Sequence, residues 1–89
     1  MKAVITVLGQ DKVGIIAAVS ALLAEKNVNI LDISQTTMQN IFTMIMLCDI
    51  ENMQGSFDML SGSLNEIGER MGLSVTVQRE DIFNSMHRI

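Results

Sequence analysis

Proline, tryptophan and tyrosine are all missing from these 89 residues, and cysteine, histidine and phenylalanine number one, one and three. Each scarcity excludes something. A single thiol, Cys48, cannot close an internal disulfide, which fits a cytoplasmic protein. Three phenylalanines give no platform for stacking bases. A net charge of −4 removes the electrostatic footprint of nucleic-acid binding. No apolar run approaches the roughly 20 residues that a bilayer requires, so no membrane role is expected. Met1-Lys2-Ala3 leads straight into a strand pattern, with no apolar leader region. His87 lies near the C-terminus, and Cys48 sits inside an apolar strand with no base beside it in sequence. CxxC, GxGxxG and GK[ST] are absent, so neither a metal nor a cofactor is expected, and catalysis is not.

What is present reads as a folded globule, 48% hydrophobic and 18% charged, and residues 1–89 are long enough for one domain only. The pattern places a first strand over residues 2–8. From Gly14 to Lys26, Ile15, Ile16, Val19, Leu22 and Leu23 recur at helical spacing. Asn27-Val28-Asn29 reads as a turn into a more polar strand, Ile30 to Met38. Gln39-Asn40 makes a tight connection to Ile41–Ile50, an almost wholly apolar strand. After a loop over residues 51–55, Phe57, Leu60, Leu64, Ile67 and Met71 form one helical stripe. Burying such a stripe contributes about 2 kcal/mol per side chain before entropy. Gly72 stands where a helix ends, and Leu73 to Glu80 alternates as a one-sided strand. Met44, Met46, Met59 and Met71 are expected to fill the core.

The order β-α-β-β-α-β predicts an α+β fold, a ferredoxin-like four-stranded antiparallel sheet with two helices on one face. The first and third strands are then central. Met44, Met46 and Cys48 point to one face of the third strand, Ile45 and Leu47 to the other, which the helices leave open. The tail from Asp81 to Ile89 carries Ile82, Phe83, Met86 and Ile89 at helical spacing. A short C-terminal helix packed on the open face or on a partner chain is expected, and with it a homodimer.

Chemistry concentrates between Val4 and Ile16, where the first strand turns through Gly9-Gln10-Asp11-Lys12-Val13-Gly14 into the first helix. The first N–H groups of a helix lack partners and carry the positive end of its dipole. The amides around Val13, Gly14 and Ile15 therefore suit a carboxylate, with Asp11 and Lys12, one charge of each sign, at the rim. A zwitterion matches that arrangement. Asp11 as a simple helix cap is the competing reading.

The segment Gly9-Gln10-Asp11-Lys12-Val13-Gly14-Ile15-Ile16, followed by Asn27-Val28-Asn29-Ile30, closely resembles an ACT domain, a small regulatory module that binds amino acids. The resemblance spans the whole chain. The ending from Glu80 to Ile89 is similar to that of small stand-alone ACT-domain proteins. The first half resembles the N-terminal ACT domain of the glycine-cleavage-system repressor. The resemblance implies a ligand at a dimer interface, with roles for Asp11, Gly14 and Asn29. A histidine found in one version of the family is replaced here by Gly9. Three functions follow: an amino-acid sensor acting on an enzyme or transcription factor, a ligand-free dimerisation or adaptor domain, and a small acylphosphatase-like enzyme. The last needs an arginine in the first loop, where Lys12 stands instead; the arginines are Arg70, Arg79 and Arg88.

Overall fold

A computed structural model describes residues 1–10 and 12–81. Asp11 and the expected C-terminal helix, apart from Asp81, lie outside the described residues. The elements run β1 (Lys2–Gln10), α1 (Ile15–Glu25), β2 (Asn29–Met38), β3 (Ile41–Asp49), α2 (Phe57–Met71) and β4 (Leu73–Arg79). The sheet order is β2-β3-β1-β4, antiparallel throughout, with β1 and β3 central as the sequence pattern predicts. β1 continues to Gln10 rather than stopping before Gly9, because Gly9 and Gln10 still pair with Phe42 and Ile41.

Alternation on the central strands builds the core. Ala3, Ile5 and Val7 of β1 and Phe42, Met44, Met46 and Cys48 of β3 face the helices, meeting Ile15, Val19 and Leu23 of α1 and Leu60, Leu64 and Ile67 of α2. Ile16 projects outward instead, and Met59 is 58% exposed, so neither belongs to the core the sequence pattern assigned them to. Met59 lies off the stripe that its own helix defines: two residues after Phe57 is about 200° around a 3.6-residue turn. On the open sheet face Val4 is buried, whereas Leu8, Ile41 and Ile45 remain exposed.

The ends of both helices have local causes. Ser56 caps α2, its hydroxyl accepting the Met59 N–H at 3.2 Å. Asp58 in the first turn and Arg70 in the last complement the dipole. α1 closes on Asn27, at φ 59°, with Val28 N–H donating to the Leu23 carbonyl and Asn27 N–H to that of Ala24. That is the double bond pattern of a Schellman turn. Gln39 and Asn40 both take positive φ, which closes the β2–β3 hairpin in two residues.

Helix α2 approaches β4 closely at Gly68. A Cβ there would stand 2.7 Å from the Leu73 carbonyl oxygen and 3.0 Å from Val75 Cγ2. Backbone cannot yield as a side-chain tip can. Gly68→Ala is therefore expected to destabilise the chain by about 1–3 kcal/mol, read as a lower midpoint in thermal or urea unfolding; an unchanged midpoint would show that α2 has room to shift.

Candidate functional site

The loop between β1 and α1 is the first candidate. Gly14 occupies the N-cap of α1 at φ 93° and ψ 1°, a left-handed conformation that glycine adopts freely. Its carbonyl accepts the Ala18 N–H at 2.9 Å. Among the described residues no side chain caps the helix, and no acid stands in its first turn. The leading amides, from Ile15 onward, thus have no side-chain partner among the described residues. The loop residues divide by role. The Val13 side chain is fully exposed, whereas Ile15 is buried. The ammonium of Lys12 donates to the Met71 carbonyl at 2.6 Å. It thereby places a cation on the negative end of α2 and fastens the loop to the other helix. Asp11 lies outside the described residues.

Asn29 is elsewhere. It opens β2 and pairs with Asp49, while the loop leaves β1 at Gln10, which pairs with Ile41. The eight steps of β3 between Ile41 and Asp49 separate the two ends by about 26 Å. Within one chain, Asn29 cannot share a small ligand with the amides near Gly14. The cause is topological: β1 and β2 are both antiparallel to β3, so the end of one and the start of the other lie at opposite rims.

At its own rim Asn29 joins a concavity of about 270 Å3, lined by Ala24, Asn27, Val28, Asn29, Asp49 and Asn52. Asn27 Nδ2 donates to the Asn52 carbonyl at 2.9 Å, and Asp49 Oδ1 accepts the Glu51 N–H at 3.0 Å. Sequence reasoning singled out Asn29 alone of this group. The signal available was the density of asparagine in the turns on either side of the core strands.

Among the described residues no group of three His, Cys, Asp or Glu side chains could hold a metal ion, and no helix is long and apolar enough to cross a membrane. Cys48 is buried, and desolvation pushes its thiol up to about 11 from an ordinary 9.0. The raised value favours the neutral folded form. Its contribution is complete below pH 9.0, where both states keep the proton, and is lost as pH rises towards 11. Folding stability is expected to fall across that window in the parent but less in Cys48→Ala, measured by urea unfolding at each pH. Parallel pH profiles would show that Cys48 is not the source.

The sequence model of the ACT domain matches residues 2–78. A UPF0237 protein of Clostridium acetobutylicum is 58% identical over 89 residues, covering 100% of both chains. The solved ACT domain protein from Streptococcus pneumoniae superposes with a TM-score of 0.80 at 38% identity, over 93% of each chain. A protein described as a glycine cleavage system transcriptional repressor superposes with a TM-score of 0.74 at 27% identity, over 88% of this chain and 44% of its own. The resemblance read from the glycine-bounded loop and the Asn27–Ile30 turn is borne out, as is the ferredoxin-like order of elements.

Proposed function

This chain belongs to the ACT domain family, and we propose that it is a regulatory, non-catalytic module that senses a free amino acid between two copies of itself. The observation that carries the reading is the start of α1 at Gly14, which no side chain caps among the described residues and where backbone alone offers a carboxylate site. Asp11, three residues before Gly14 in the sequence, is assigned the counter-charge for the ligand ammonium. Asn29 of the partner subunit then completes the site. A two-fold axis passing by the middle of β2, near Ile33 and Ser34, lays one β2 against the other antiparallel and brings Asn29 of the partner subunit to the Met38 rim, where the loop stands. β2 suits that role: it is an edge strand, and Leu31, Ile33 and Met38 are exposed along it. The ligand state would be passed to a regulated enzyme or transcription factor. A single buried thiol is in keeping with the cytoplasm.

A thermal-shift screen against the twenty amino acids tests the reading. A ligand at a hundredfold excess over its Kd stabilises by about 2.7 kcal/mol, a rise on the order of 10–20 °C for a domain this small. No rise with any amino acid would leave dimerisation as the function. For a ligand so found, Asp11→Asn is expected to weaken binding by about 1.5–3 kcal/mol through loss of a charge-assisted bond, with the melting temperature of the free protein unchanged. Calorimetry giving equal affinity for parent and variant would remove Asp11 from the site.

A further inference from the structure

The sheet face turned away from the helices is not uniformly bare. Val4 lies on that face, since its neighbours Ala3 and Ile5 point to the helices, and it has no place in the cluster beneath them. Yet it is only 6% exposed. Ile45 supplies the comparison: it stands on the other central strand, on the same face, with a strand on each side, and is 40% exposed. The register partners of Val4 are Leu47 and Gln78, and both are half-buried themselves. Side chains of one row stand side by side, roughly perpendicular to the sheet, so neighbours that are sheltered together are sheltered from above. The described elements leave none to do this, because four form the sheet and both helices pack on the opposite face. The cover is also local. Leu8 of β1 and Ser74 and Thr76 of β4 are exposed, so it lies over one end of the sheet, the end where β4 finishes.

The chain leaves β4 at that same end. Arg79 pairs with Ala3. Glu80 and Asp81 then open a helical turn beside Met1 and Lys2, around a shallow concavity of about 210 Å3. Eight residues, 82–89, follow. Ile82, Phe83, Met86 and Ile89 recur among them at helical spacing, which gives the segment one apolar side. From β4 across β1 to β3 is two strand spacings, about 10 Å, and eight helical residues extend about 12 Å. We propose that residues 82–89 of the same chain form a strap across the row Gln78–Val4–Leu47, apolar side down, and close that end of the sheet face to a partner. Two sheets stacked face to face lie about 10 Å apart, which leaves no room for a strap between them. The strap therefore favours association of two copies at a sheet edge, and it depends on no ligand.

Thiol reactivity in the full-length chain tests it. Val4→Cys and, as the open control on the same face, Ile45→Cys are treated with N-ethylmaleimide, against a buried Cys48 common to both. The thiol at position 4 is expected to react at least tenfold more slowly than the one at position 45. Adding Phe83→Ser and Met86→Ser should raise the rate at position 4 at least tenfold and leave that at position 45 unchanged, with the same circular dichroism. A fast thiol at position 4 in the otherwise unaltered chain, or one still slow after both serine substitutions, would overturn the proposal. The parent chain gives a second reading that needs no variant to fold. Nuclear Overhauser contacts from the Val4 methyls to side chains beyond residue 81 are expected in a uniformly carbon-13-labelled sample. They should be absent from an isotope-filtered spectrum of mixed labelled and unlabelled chains. Contacts in the filtered spectrum would assign the cover to a second copy, and no contact beyond residue 81 would leave Val4 to its sheet neighbours; either result ends the strap.

Discussion

Gly14→Val is expected to remove amino-acid binding altogether and to lower stability at the same time, and the two losses have different origins. Gly14 sits at φ 93°, where a β-branched residue is strained by about 1–3 kcal/mol. In a domain of this length that lowers the melting temperature by roughly 5–20 °C. Among the described residues nothing lies within 4 Å of a Cβ built on Gly14, so none of them adds a clash to the cost. That open space is also where a carboxylate would approach the first amides of α1. A side chain entering it should weaken binding by more than a hundredfold. Gly14→Asn separates the effects, because asparagine accepts left-handed angles at little strain yet still carries a side chain. Its melting temperature should stay near the parent value while its affinity is lost. Calorimetry showing undiminished affinity in the asparagine variant would place the ligand away from these amides.

The sequence made the fold legible where two patterns agreed. β1 and β3 read as apolar strands and became the central pair; the α2 stripe from Phe57 to Met71 faces the core in register. β2 reads as a more polar strand, yet its two isoleucines, Ile30 and Ile33, are three apart, which departs from the strand period of two. The structure resolves the mismatch with a bulge: Ile30 pairs with Cys48, Asp32 with Leu47, and Leu31 is the extra residue. Ile33 thereby returns to the helix side beside Met46, and Asp32 turns to the open face. A period of two cannot foresee an inserted residue.

The candidate site was legible only in its backbone. A glycine ahead of an apolar helix marks where the helix begins, and Gly14 is its N-cap. Lys12 reads from sequence as a rim charge, because nothing local reveals a bond to Met71, 59 residues away. Asn29 shows a different limit. The strand order already places the start of β2 and the end of β1 at opposite rims, so its distance from the loop follows from topology rather than from coordinates. The asparagine could join the loop only across a symmetry axis.

That axis makes the last expectation the largest. Replacing both Leu31 and Ile33 by lysine should convert a dimer into a monomer without unfolding it. Both side chains are exposed in the single chain, so their loss costs the isolated fold little. Around a two-fold axis through the middle of β2 each acts twice. Burying four large apolar side chains favours association by about 6 kcal/mol at 1.5 kcal/mol each, and every 1.4 kcal/mol is a factor of ten in Kd. Four lysines near the axis also repel one another and oppose edge pairing, as charges on natural edge strands do. Sedimentation velocity at tens of micromolar should therefore give a dimer for the parent and a monomer for Leu31→Lys/Ile33→Lys, with similar circular dichroism for both. Amino-acid binding should fall with the dimer, since the Asn29 of the partner subunit leaves the loop. A parent that is dimeric and a double variant that stays so would move the interface to the open sheet face, where Leu8, Ile41 and Ile45 are the exposed apolar residues. A monomeric parent would end the two-copy site and confine any ligand to the backbone amides of one chain.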